Sequence, residues 1–260
     1  MKNPRTYGQA PYGVAVVHGG PGASGEMAPV ARKLAAGRGI LEPVQTAATL
    51  ECQIEELRSI VEEHGDLPVT LIGFSWGAWL SFLLAARHGA CVKKLILVAS
   101  GPFEENYTER LLVTRLSRLD AGEREEVDCL IQFIHNPAAE EKNRAMERLG
   151  ELITKADAFD PMAREPEAVD YRADIFMSVW REAAELRRSG RLLELAGKIQ
   201  CPVVAIHGDY DPHPAEGVRE PLTGVLENFR FVLLQKCGHR PWIERHAADE
   251  FYRILEQELR

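Results

Sequence analysis

The chain has 260 residues, 45% hydrophobic and 27% charged, with a formal net charge of -8 at pH 7. That balance belongs to an ordinary soluble globular protein, long enough for one large domain or one domain carrying an insertion. The acidic residues are spread along helices and give no support to a nucleic-acid partner, and five widely spaced cysteines without a C-x-x-C pair suggest neither a disulfide framework nor a structural zinc site.

No run of about 18 apolar residues occurs, and the opening Met1-Lys2-Asn3-Pro4-Arg5-Thr6-Tyr7 holds no apolar stretch for a leader. A cytoplasmic, reducing setting without a membrane partner is therefore expected. After this polar lead, Tyr12-Gly13-Val14-Ala15-Val16-Val17-His18 is a continuous apolar run, as in a strand buried on both faces of a parallel sheet. It empties into the glycine-rich loop Gly19-Gly20-Pro21-Gly22-Ala23-Ser24-Gly25. Met27, Val30 and Leu34 then fall at helical spacing, in a helix over 26–36 that Gly37 ends. Gly39-Ile40-Leu41-Glu42-Pro43-Val44 is a weaker strand, and Pro43, which cannot donate to a ladder, places it at a sheet edge. Thr49 caps a helix carrying Leu50, Ile54, Leu57 and Val61, stopped by Gly65.

The next strand, Pro68-Val69-Thr70-Leu71-Ile72, turns through Gly73-Phe74-Ser75-Trp76-Gly77 into an apolar helix that runs to His88-Gly89. A serine between two glycines, at a strand-to-helix turn, fits the G-x-S-x-G elbow, where small neighbours let strand and helix approach around a strained nucleophile. Lys93-Lys94-Leu95-Ile96-Leu97-Val98-Ala99 is another buried strand. The period then changes: 104–190 shows helical patterning without a strand signal, which reads as an inserted helical cap with helices at 106–120, 122–135, 138–156 and 170–188. Gly122, Pro137, Pro161 and Pro166 break it. The strand and helix rhythm resumes with a short helix at 191–198, a strand at 202–207, a helix near 215–227, the strand 229–234 and a closing helix from 242. Residues 1–103 and 191–260 thus form an α/β core, a parallel sheet covered by helices on both faces, whose ligands sit at the carboxyl ends of the strands.

Four strand ends carry chemistry: His18-Gly19-Gly20-Pro21-Gly22, Ser75, Gly208-Asp209-Tyr210-Asp211, and Cys237-Gly238-His239-Arg240. The chain order serine, acid, histidine is that of α/β-hydrolases. On these residues the chain resembles the α/β-hydrolase fold superfamily over about 12–103 and 190–258. The pairing of His18-Gly19-Gly20-Pro21-Gly22 with Ser75-Trp76-Gly77 is similar to the prolyl iminopeptidase-like branch. The resemblance implies Ser75 as nucleophile, His239 as general base and acid, Asp211 as its orienting carboxylate, and the backbone N–H groups of Gly20 and Trp76 as oxyanion hole. It also implies six parallel strands, because two strands that open full-length relatives have little room before residue 12, so that the strand at 39–44 becomes an edge.

The chemistry supports these roles on its own terms. A serine hydroxyl is a weak nucleophile that needs an adjacent base, and an imidazole titrating near ~6.5 suits neutral pH. Acyl transfer builds charge on the substrate oxygen, which bare glycine backbone is able to receive. Asp209 competes with Asp211 for the acid role, and Glu104 is a remoter substitute. His207 to His213 has the residue types of a metal cluster, yet a strand-end acid loop accounts for it, so neither metal nor cofactor is expected. Cys237 lacks an elbow and reads as a buried structural thiol. Phe133, Phe176, Met177 and Trp180 from the cap, with His18, Phe103, Trp76 and Trp242 near the elbow, are candidate pocket lining; packing in the core is the alternative for each.

The expected activity is hydrolysis of an ester, amide or related acyl bond of a small molecule through an acyl-enzyme. The iminopeptidase pattern D-x-R-G-x-G-x-S is absent after the second strand, where Leu41-Glu42-Pro43-Val44-Gln45-Thr46 stands, and Phe74 replaces a glycine of that branch's elbow. An aminopeptidase acting on N-terminal proline is the next reading, followed by a carbon–carbon bond hydrolase. A ligand-binding receptor on a hydrolase scaffold is the reading from another class. Monomer and homodimer both fit, the latter through the exposed edge strand.

Overall fold

The computed structural model describes residues 3–163 and 167–260. Pro166, one of the expected helix breaks, lies outside them. The first half of the chain runs β1 (Arg5–Tyr7), β2 (Val14–Val17), β3 (Ala23–Ser24), α1 (Ala28–Leu34), β4 (Ile40–Glu42), α2 (Leu50–His64), β5 (Val69–Phe74), α3 (Trp76–Arg87) and β6 (Val92–Val98). An insertion follows, comprising α4 (Leu111–Ser117), α5 (Ala121–His135), α6 (Lys142–Asp157), β7 (Asp170–Tyr171) and α7 (Ala173–Arg188). The chain then closes with α8 (Arg191–Glu194), β8 (Val203–Gly208), α9 (Glu216–Thr223), β9 (Phe229–Leu234) and α10 (Ala248–Glu258).

The main sheet has the order β1-β4-β2-β5-β6-β8-β9. Six of these strands are parallel, as expected, and β1 pairs antiparallel with β4. Alternation sorts the central strands into two layers. Ala15, Val17, Leu71, Leu95, Leu97 and Ala205 join α2, α3 and α9 on one face, while Val14, Val16, Ile72, Ile96, Val98 and Ile206 join α1 and α10 on the other. Thr49 caps α2, its side chain accepting from the Cys52 amide.

Three expectations change. The strand at 40–42 is not the sheet edge, because Arg5-Thr6-Tyr7 pairs along it; Pro43 follows the last ladder residue and removes no donor. The insertion is not free of strands: Asp170 and Tyr171 pair with Ser24 and Ala23, which pins it to the glycine-rich loop. The fifth helix begins before Gly122, since Asp120 and Glu123 form a reciprocal capping box. The insertion has small cores of its own, around Val127 and Leu152 and around Ile134 and Met146.

Candidate active site

The elbow is built as its glycines require. Ser75 holds φ 51° and ψ −114°, a left-handed backbone that L-residues avoid without surrounding constraint. Its amide donates to the Val98 carbonyl at 2.9 Å, and α3 begins at the next residue. A Cβ on Gly73 would run into the Gly77 carbonyl, and one on Gly77 into the carbonyls of Val17 and His18. Only glycine lets β5, α3 and the end of β2 come this close.

Gly20, with φ +39°, and Trp76 both line the cavity that Ser75 faces, and among the described residues neither backbone N–H donates to another group. Behind them lies a buried network. The Gln45 amide donates to His18 Nε2 at 3.2 Å, its side-chain Nε2 donates to the His18 carbonyl at 3.0 Å, and the Trp76 indole N–H donates to Gln45 Oε1 at 2.8 Å. His18 Nδ1 meets the Gly19 carbonyl at 2.8 Å. Burial pushes the His18 imidazole below its ordinary value, against the Gly19 hydrogen bond, which raises it.

Asp211 follows β8 with its carboxylate closed off from solvent. Oδ2 accepts from His239 Nδ1 at 2.7 Å, and Oδ1 accepts from both His213 Nδ1 and the His213 amide at 2.9 Å. Burial alone would raise this carboxyl; His239, His213 and His207 outweigh it and hold it well below the usual carboxylate range. Burial holds the His213 imidazole down to about 4, despite Asp211. The His239 amide donates to the Asp157 carbonyl at 2.9 Å, and its ring lies 4.9 Å from Phe74. Among the described residues the Ser75 hydroxyl has no hydrogen-bond partner, so it is not joined to His239, although both face one cavity. Such bonds are often long in sites without ligand.

The structure thus brings Ser75, Asp211 and His239 to one place, and it gives Asp211, not Asp209, to the histidine. Asp209 instead accepts from the Cys237 amide at 3.0 Å. Burial raises the Cys237 thiol far above its ordinary value, which keeps it protonated. Asp211, His213 and His239 place donor atoms within 4.8 Å of one another, but a cation there would have to displace both N–H···O bonds to the carboxylate.

The cavity holds about 960 Å³ and lies between the core and the insertion. Phe176, Met177 and Trp180 are on its wall with Ile131, Met146 and Leu149. Four expected lining residues are elsewhere. Phe103 is buried against Trp79 and Phe82, Trp242 packs edge-on to Phe74 at 4.7 Å, and His18 belongs to the network behind the loop. Phe133 is 43% exposed and off the wall. His213 and Gln45 were not anticipated. The signal for His213 was its place two residues after Asp211, where an aspartate commonly bonds the backbone ahead of it. Gln45 had no signal, because its partners lie far away in sequence.

Comparison with known proteins agrees with this fold. The chain is 26% identical over 204 residues to a pimeloyl-[acyl-carrier protein] methyl ester esterase of Neisseria meningitidis serogroup A, covering 75% of this chain and 59% of that relative. The chain therefore spans about three fifths of that relative's length. Among solved structures, VinJ superposes with a TM-score of 0.68 at 18% identity, covering 98% of this chain and 93% of that one. The enol-lactonase from Burkholderia xenovorans LB400 gives 0.64 at 19%, covering 98% and 95%. A family model for the alpha/beta hydrolase fold matches residues 44–245, most of the chain. With the sheet order, the elbow and this match in agreement, the protein belongs to the α/β hydrolase fold family.

Proposed function

We propose that the protein is a serine hydrolase that cleaves an ester of a small apolar acid through an acyl-enzyme. The observation that carries this reading is the 2.7 Å bond from His239 Nδ1 to the buried Asp211, at the wall of the cavity that also holds the strained Ser75. That bond leaves His239 Nε2 as the proton acceptor. Ser75 Oγ adds to the substrate carbonyl and gives its proton to His239 Nε2, while Asp211 stabilises the imidazolium. The Gly20 and Trp76 N–H groups receive the oxyanion. His239 then protonates the leaving oxygen, the acyl group stays on Ser75, and water activated by the same imidazole releases the acid. The insertion at 104–190 acts as the cap over this chemistry, and its apolar wall receives the acyl chain.

The charge on the wall favours an ester over a peptide amine. Recognition of a free amino terminus needs a carboxylate to spare, and each one lining the cavity among the described residues is ion-paired: Glu26 with Arg240, Asp157 with Arg115, and Asp174 with Arg172. The esterase relative points the same way. The test is a panel of p-nitrophenyl acyl esters beside prolyl and alanyl arylamides, run on the native protein and on Ser75→Ala. The esters are expected to turn over and the arylamides not, with Ser75→Ala slower by roughly a thousandfold or more. Arylamide turnover above ester turnover, or an unaffected Ser75→Ala, would contradict the reading.

A further inference from the structure

The site hydrogen-bonds two imidazoles to one carboxylate, with His207 Nε2 lying 3.5 Å from it and engaged with the His213 carbonyl, and the reaction written above uses one of the two. His213 Nδ1 is 2.9 Å from Asp211 Oδ1 and His239 Nδ1 is 2.7 Å from Oδ2. Their ring centroids are 4.6 Å apart at 31°. Both residues are buried and both line the cavity that Ser75 lines. An ionised carboxylate only accepts, so each Nδ1 carries the proton and each Nε2, across the ring, carries a lone pair. Among the described residues neither Nε2 has a hydrogen-bond partner. Burial keeps His213 neutral through the neutral range, so its lone pair stays available.

The position of His213 says what that lone pair meets. In acyl transfer the base returns its proton to the leaving atom, which must lie within about 2.6–3.2 Å of His239 Nε2. The ring beside His239 is then next to the leaving group. The next atoms of that group to come within reach are those on its second carbon.

We infer that His213 is a specificity-determining residue, whose Nε2 accepts a hydrogen bond from a hydroxyl or amide N–H on the second carbon of the substrate's leaving group. The inference rests on the serine hydrolase reading and names a substrate class within it: esters of alcohols that carry a second donor, in preference to esters of simple alcohols.

The experiment measures kcat/KM for 2-hydroxyethyl hexanoate and for ethyl hexanoate, and reads their ratio, which does not depend on the fraction of protein correctly folded. The wild type is expected to prefer the hydroxyethyl ester by about five- to tenfold, the range of one net neutral hydrogen bond. In His213→Asn the side-chain amide replaces Nδ1 toward Asp211 and nothing replaces Nε2, so the ratio falls toward one. His213→Gln puts an amide oxygen near the Nε2 position and retains part of the preference. A wild-type ratio of one or less, or a wild-type ratio kept in His213→Asn, would overturn the inference. Ethyl ester hydrolysis that disappears in Ser75→Ala leaves the hydrolase reading standing in either case, whereas its persistence in Ser75→Ala removes that reading as well.

Discussion

Gln45 is a single buried side chain that holds both halves of the candidate oxyanion hole, through the His18 carbonyl on one side and the Trp76 indole on the other. It touches no reacting atom and acts by position. Gln45→Leu is expected to lower kcat by about tenfold with little change in KM, a smaller loss than the roughly 2.7–4 kcal/mol of removing a donor outright. Steady-state kinetics with a urea melt would check it; a raised KM at constant kcat would assign Gln45 to the pocket instead. Two buried imidazoles also set the acid stability. His213 is held down to about 4 and His18 is lowered, so the unfolded chain binds more protons than the native one below the ordinary value near ~6.5. Stability should therefore rise with pH from about 4 to 6.5 and level off above. The urea midpoint measured across that window should show it, with a shallower rise in His213→Asn. The depressed Asp211 adds a further loss at still lower pH, as its carboxylate is protonated. At this scale the candidate residues Ser75, Asp211 and His239 were legible because elbow, acid loop and final histidine carry local patterns. Gln45 was not, because its role exists only once β4, β2 and α3 are assembled.

At the scale of elements, two of the ties that fasten the insertion to the core stand out. One is the short β3–β7 ladder. The other is Glu244, buried after the histidine loop, whose carboxylate accepts from the amides of Phe159, Asp160 and Gly238 at 2.9, 2.8 and 3.0 Å. It ties the segment after α6 to the residue before His239. Glu244→Ala strands three amides, two in the segment after α6 and one in the histidine loop, and is expected to cost about 3 kcal/mol or more. Chemical denaturation measures that cost, and limited proteolysis should find new cutting near 157–160; an unchanged midpoint would deny the clasp. The long elements were readable from periodicity and caps, as Thr49 and α2 show. The two-residue β3 and β7 were not, since two residues hold no period and pair only because the insertion folds back over the loop. Pro43 misplaced the edge for a related reason: a proline one residue beyond a strand looks the same in sequence as one inside it.

For the whole molecule, the two-layer core and the position of the insertion follow from alternation and from the break in strand rhythm after Val98. Which insertion side chains face the cavity does not. An insertion with its own small cores and a cavity face offers two apolar surfaces, and spacing alone cannot tell the side that takes Phe176 and Trp180 from the outer side that carries Phe133. Among the described residues no helix is long and apolar enough to cross a membrane. What unites the three scales is that the fold brings Ser75 and His239 to a shared cavity, with the buried Asp211 carboxylate bonded to the far side of that imidazole. The most direct measurement is the intact mass and peptide map of the protein after treatment with a fluorophosphonate at neutral pH. The account predicts a single adduct on Ser75, absent in Ser75→Ala and formed far more slowly in His239→Ala. Folded protein that hydrolyses esters yet gives no adduct, or carries it on another residue, would contradict it.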